Sequence, residues 1–160
     1  MLTMVLAMVV SACSGNKSST TDDKTTTIEP SASAKEMTEQ MVTEVEQPAL
    51  MELTAEDLKN LYNLDAAKLE DFSVRIPMMN VKSNEIAIFK VKDQNDVAEV
   101  VAAIKVRAEN AMKPFEQYLP DQYENAKNHK IVTKGNYVLF VISDQADELI
   151  AVYDRFFEKK

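Results

Sequence analysis

The chain's 160 residues are 46% apolar and 28% charged, the balance of an ordinary folded domain, and carry a formal net charge of -8. Such a surface repels phosphate backbones and anionic headgroups, which disfavours nucleic-acid binding. With two glycines, one histidine and one cysteine, the chain cannot build glycine-rich phosphate or dinucleotide loops, a G-x-S-x-G nucleophile elbow, or a zinc site of the usual nitrogen and sulfur ligands. No cofactor and no metal is expected.

Residues 4–12 form an apolar run that ends in Val10-Ser11-Ala12-Cys13. As a helix this run reaches about 13 Å, far short of a hydrocarbon core of roughly 30 Å. It therefore reads as a signal peptide over residues 1–12 rather than a spanning helix. The Lys or Arg that normally opens such a peptide is missing from Met1-Leu2-Thr3, so either the true start lies upstream or the chain is truncated. Residues 14–32 are rich in Ser, Thr, Asp and Lys and cannot bury a face, so residues 13–32 read as an anchor point and flexible linker. The linker's r.m.s. span is roughly 25 Å.

A folded domain is expected over residues 33–160. Ser33-Ala34-Lys35-Glu36 has the form of a capping box, and Met37, Met41 and Val45 follow at helical spacing until Pro48. Thr54-Ala55-Glu56-Asp57 caps a second helix that carries Leu58, Leu61 and Tyr62 on one face. Phe72, Val74, Ile76 and Met78 alternate with polar residues and with Pro77, which suits a strand with an edge or bulge. A second strand over residues 86–92 puts Ala87, Phe89 and Val91 on one side and Ile86 and Ile88 on the other.

Beyond a cap at Asp93 to Asp96, Val97, Val101, Ile104, Ala108, Met112 and Phe115 line the longest helix. Pro120 opens a short helix through Ala126. Residues 131–133, the turn at Gly135 and residues 137–143 form a hairpin whose second strand is apolar on both faces, hence central and covered on both sides. Ser143 or Asp144 then caps a last helix with Leu149, Tyr153, Phe156 and Phe157 inward. Hairpins separated by helices give an α+β fold: a four-stranded, mostly antiparallel sheet packed with helices in the order α-α-β-β-α-α-β-β-α.

Val10-Ser11-Ala12-Cys13 resembles the lipobox of bacterial lipoproteins, which implies a lipid, such as palmitate, on Cys13. From about residue 33 onward the chain also resembles the bacterial lipoprotein family called domain of unknown function 4358. The resemblance is carried by Asn84-Glu85-Ile86-Ala87-Ile88-Phe89-Lys90, Arg107, Tyr118-Leu119-Pro120-Asp121-Gln122-Tyr123 and Lys134-Gly135-Asn136-Tyr137-Val138. It implies export and a small domain, and it brings no established activity.

Arg107 lies about 80° from the centre of its helix's apolar stripe, with Ala103, Ile104, Asn110 and Ala111 as neighbours. No carboxylate on its own helix can pair with it, so its partner is tertiary, an anionic ligand or water. The plainer alternative is a structural arginine bridging to the last helix or a loop. Tyr118, Gln122 and Tyr123 gather at a helix break, where they suit sugar or peptide contact; equally, such tyrosines finish a core edge.

His129 reads as a solvated loop residue rather than a general base, and a triad with Ser143 and Asp144 is set aside because capping explains those two. Asp93, Asn95 and Asp96 lack the glycine and distal Glu of a calcium loop. The expected role is a non-catalytic binding or assembly module, tied by Cys13 to the extracytoplasmic face of the cell membrane and holding a partner protein or cell-surface glycan. The alternative is an accessory enzyme component in surface-polysaccharide modification, with Arg107 and Tyr118 holding an anionic or sugar substrate.

Overall fold

The computed structural model describes residues 29–158. The expected signal peptide over residues 1–12, Cys13 and the linker through residue 28 lie outside the described residues. No helix among the described residues is long and apolar enough to cross a membrane.

Helix α1 (Ala34–Glu44) opens with the expected capping box: Ser33 accepts from the Glu36 N–H, and Glu36 accepts from the Ser33 N–H at 2.8 Å. Strand β1 (Leu50–Glu52) follows, then helix α2 (Ala55–Tyr62), capped by Thr54 and Asp57 in the same way. Asn63 ends α2 in the left-handed region at φ 55, which Asn tolerates better than most residues. Strands β2 (Leu69–Pro77) and β3 (Glu85–Val91) form a hairpin. Helix α3 (Val97–Met112) passes through a 3-10 turn toward α4 (Pro120–Lys127). Strands β4 (Lys130–Lys134) and β5 (Tyr137–Ile142) and helix α5 (Ala146–Arg155) complete the chain.

The sheet is antiparallel throughout, in the order β1-β2-β3-β5-β4. It has five strands rather than the expected four. The additional strand, β1, is three residues long and lies at an edge, paired Leu50 to Pro77 and Glu52 to Arg75. Three residues cannot display an alternation, so its sequence carried no readable period. The element order becomes α-β-α-β-β-α-α-β-β-α.

Helices cover both faces of the sheet. On one, Met37, Met41, Leu149 and Tyr153 from α1 and α5 meet Ile86, Ile88, Leu139 and Val141. On the other, Leu58, Tyr62, Ile104 and Ala108 from α2 and α3 meet Val74, Ala87, Phe89 and Phe140. Every residue of β5 is buried, as its two-sided apolar pattern requires. A buried hydroxyl pair, Thr38 Oγ1 and Ser73 Oγ at 2.8 Å, joins α1 to β2.

The caps of two helices differ from expectation. Asp93 accepts from the Asn95 N–H at 2.9 Å and so caps the 3-10 turn before α3, not α3 itself. Ser143 accepts from the Gln145 N–H at 3.1 Å, while α5 begins one residue later without a side-chain cap. In each case the side chain reaches only two residues along the chain, so it serves the turn that precedes the helix.

Candidate functional site

Alternation along β3 places Glu85 on the same face as Ala87 and Phe89, toward α2 and α3. There Glu85, 1% exposed, accepts from Arg107 Nε at 3.1 Å to each carboxylate oxygen and from Arg107 Nη2 at 2.7 Å. The Tyr62 hydroxyl donates to the same carboxylate, and its ring packs edge-on against Phe89, centroids 5.3 Å apart. Burial, then the Glu85 charge, pushes the Tyr62 phenol well above its ordinary range. Burial works to lower the Arg107 pKa, but the Glu85 carboxylate outweighs it and the net shift is upward. Arg107 thus bridges to a strand, and its partner is an internal carboxylate.

Glu85 follows Asn84 in the chain, and Asn84 belongs to a second polar group at the end of the sheet where β3 begins and β5 ends. Asn84 Nδ2 donates to Gln47 Oε1 at 3.1 Å, and Ser143 Oγ donates to the same oxygen at 3.2 Å. Across a short gap, Gln122 Oε1 accepts from the Ser83 N–H at 2.9 Å, and Asn125 Nδ2 donates to Ser83 Oγ at 3.0 Å. Between these two sets lies an open cleft of about 600 Å³, walled by Gln47, Asn84, Gln122, Asn125 and Gln145. That volume is within the usual range of small-molecule sites.

The sequence candidates do not converge. Gln122 lines this cleft, whereas Arg107 faces Glu85. Tyr118 is 63% exposed, and Tyr123 stacks under Lys127 Nζ at 5.7 Å from its ring centre. His129 is not a freely solvated loop residue: its Nδ1 meets the Ala126 carbonyl at 2.9 Å and its ring packs edge-on against Phe140. Among the described residues no three His, Cys, Asp or Glu side chains are grouped to hold a metal ion.

Glu85 was legible as an acid in register with an inward-facing apolar set. Gln47 carried no signal, since its partners Asn84 and Ser143 are 37 and 96 positions away.

The profile of a protein family described as "Domain of unknown function (DUF4358)" matches residues 43–143. The chain belongs to that family. The DUF4358 match takes in Gln47, Ser83, Asn84, Glu85, Arg107, Gln122 and Asn125, so both polar groups fall within it. No curated protein and no solved structure matches the chain.

The described chain enters at the other end of the sheet. Glu29 pairs there with Lys90 Nζ at 2.5 Å and accepts from the Tyr137 hydroxyl at 3.4 Å. The length of β3, about 20 Å, separates this end from Asn84.

Proposed function

We propose that this DUF4358 chain is a lipid-anchored, extracytoplasmic binding module that holds a cell-surface glycan in the amide-lined cleft. The observation that carries this reading is the cleft itself: five side-chain amides, from Gln47, Asn84, Gln122, Asn125 and Gln145, presented around one hollow. A side-chain amide offers both a donor and an acceptor, which is what a sugar hydroxyl offers in return. The engagement of Arg107 by Glu85 is the reason to place the ligand at this cleft rather than at Arg107. With Cys13 lipidated, the chain would enter the domain beside Lys90, and the cleft would open at the end remote from the membrane.

The test is thermal unfolding of the full-length protein in neutral detergent against a panel of cell-wall oligosaccharides. A ligand present at about a hundred times its dissociation constant adds roughly 2.7 kcal/mol, a rise of several degrees. The rise is expected to vanish in Gln145→Ala, whose partly exposed side chain can be removed without emptying a core position. No rise with any glycan sinks this reading. It would turn attention to the exposed methionines Met51, Met78 and Met79, at β1 and the β2–β3 loop, as a surface for a protein partner.

A further inference from the structure

Arg107 and Glu85 do not line the amide cleft, yet their ion pair lies one residue along the chain from it. After the exposed loop of residues 78–82, three consecutive polar side chains are buried: Ser83 and Asn84, each 5% exposed, and then Glu85. Each ties the chain to a different element. Ser83 meets α4, its N–H donating to Gln122 Oε1 at 2.9 Å and its Oγ accepting from Asn125 Nδ2. Asn84 donates to Gln47, in the segment between α1 and β1. Glu85 accepts from Tyr62 at the end of α2 and from Arg107 in α3.

The first two ties stand beyond the sheet. Strand β3 begins at Glu85, opposite Ile142, so Ser83 and Asn84 lie past the last ladder position and are held through these hydrogen bonds. The strand end from which they project is fixed at Glu85. A carboxylate gripped by both Nε and Nη2 of one arginine is held in direction as well as distance, because the guanidinium fork is planar and rigid. Stability alone does not account for burying two charges there, since a well-packed apolar pair is often as stable or more so. Glu85 is nevertheless the one buried carboxylate among the described residues.

From this arrangement we infer that Arg107 and Tyr62 are positioning residues for the cleft. By holding the Glu85 carboxylate they fix the strand end that sets Ser83 against α4 and Asn84 against Gln47, and so the spacing of the two walls. The inference deepens the binding reading above and rests on it for what the cleft holds. Walls held in place before a ligand arrives need not be ordered on binding, which removes part of the entropic cost of association. Arg107 acts here without touching the ligand, since a single peptide unit joins Glu85 to Asn84.

The test is site-resolved amide hydrogen exchange of the full-length protein in neutral detergent, with no glycan added. The Ser83 N–H reports the cleft, because its bond to Gln122 joins the strand end to one wall. The Leu139 N–H, in the middle of the fully buried β5, reports global unfolding. In Glu85→Gln/Arg107→Met, which removes both charges and keeps the side chains long, the ratio of Ser83 to Leu139 exchange rates is expected to rise at least about tenfold. Arg107→Lys keeps the charge and loses the fork; it should raise the same ratio, and it decides the matter if the double variant does not fold. An unchanged ratio, whether both rates rise together or neither moves, overturns the inference and leaves the pair a contributor to overall stability alone. The glycan reading fails separately, on an oligosaccharide panel that gives no thermal shift.

Discussion

Arg107 grips Glu85 with two nitrogens across 22 positions of sequence, joining the middle of α3 to the first residue of β3. Breaking a buried ion pair from one side leaves the other charge stranded, which typically costs about 3–5 kcal/mol. Arg107→Ala should therefore lower the unfolding free energy by that amount, read as a lower urea midpoint at an unchanged slope of the transition. Glu85→Gln/Arg107→Met, which removes both charges, should recover much of the loss. A single variant as stable as the parent would show that the pair contributes nothing to folding.

Alkaline pH should act through Tyr62. Its phenol is held neutral in the folded chain far above its ordinary value, while the unfolded chain ionises near pH 10. The stabilisation is therefore whole below about pH 10 and is lost as pH rises beyond it, at up to about 1.4 kcal/mol per pH unit. Tyr153, raised chiefly by burial, acts in the same direction. Urea unfolding between pH 9 and 11 should show a steep decline that is shallower in Tyr62→Phe. An identical slope in that variant would remove Tyr62 from the account.

Gln122 should matter as an acceptor. Removing it in Gln122→Ala strands the nearly buried Ser83 N–H, at a cost of about 1–3 kcal/mol. Gln122→Glu keeps the accepting oxygen and should unfold close to the parent temperature. Equal losses in both variants would assign the effect to the amide nitrogen instead.

Gly135 turns the β4–β5 hairpin at φ 58, where a Cβ is disfavoured. Gly135→Ala should cost about 1 kcal/mol, read as a drop of several degrees in melting temperature. A variant that melts with the parent would mean the turn relaxes without strain.

Cys13→Ala should abolish palmitate labelling and release the protein from the membrane fraction of expressing cells. Continued labelling of that variant would place the lipid elsewhere or remove the anchor from the proposal.

The family and most of the fold are legible in the sequence itself. Ser33 and Glu36, Thr54 and Asp57, Pro120 and Gly135 mark ends and turns through chemistry that acts within three or four residues. The apolar patterns of residues 86–91 and 137–142 likewise name their own faces, because alternation is a property of one strand. These features the chain determined by itself.

What the tertiary structure decided is every relation between elements. Strand β1 exists because β2 offers its edge, and its three residues have no pattern of their own. Sheet order and register brought Glu85 under Arg107 and set Gln47, Asn84, Gln122 and Gln145 around one hollow. Those side chains belong to segments tens of positions apart, and a hydrogen bond depends on distance and direction in space. Local sequence states neither, so the ion pair and the cleft emerged only when the sheet was assembled.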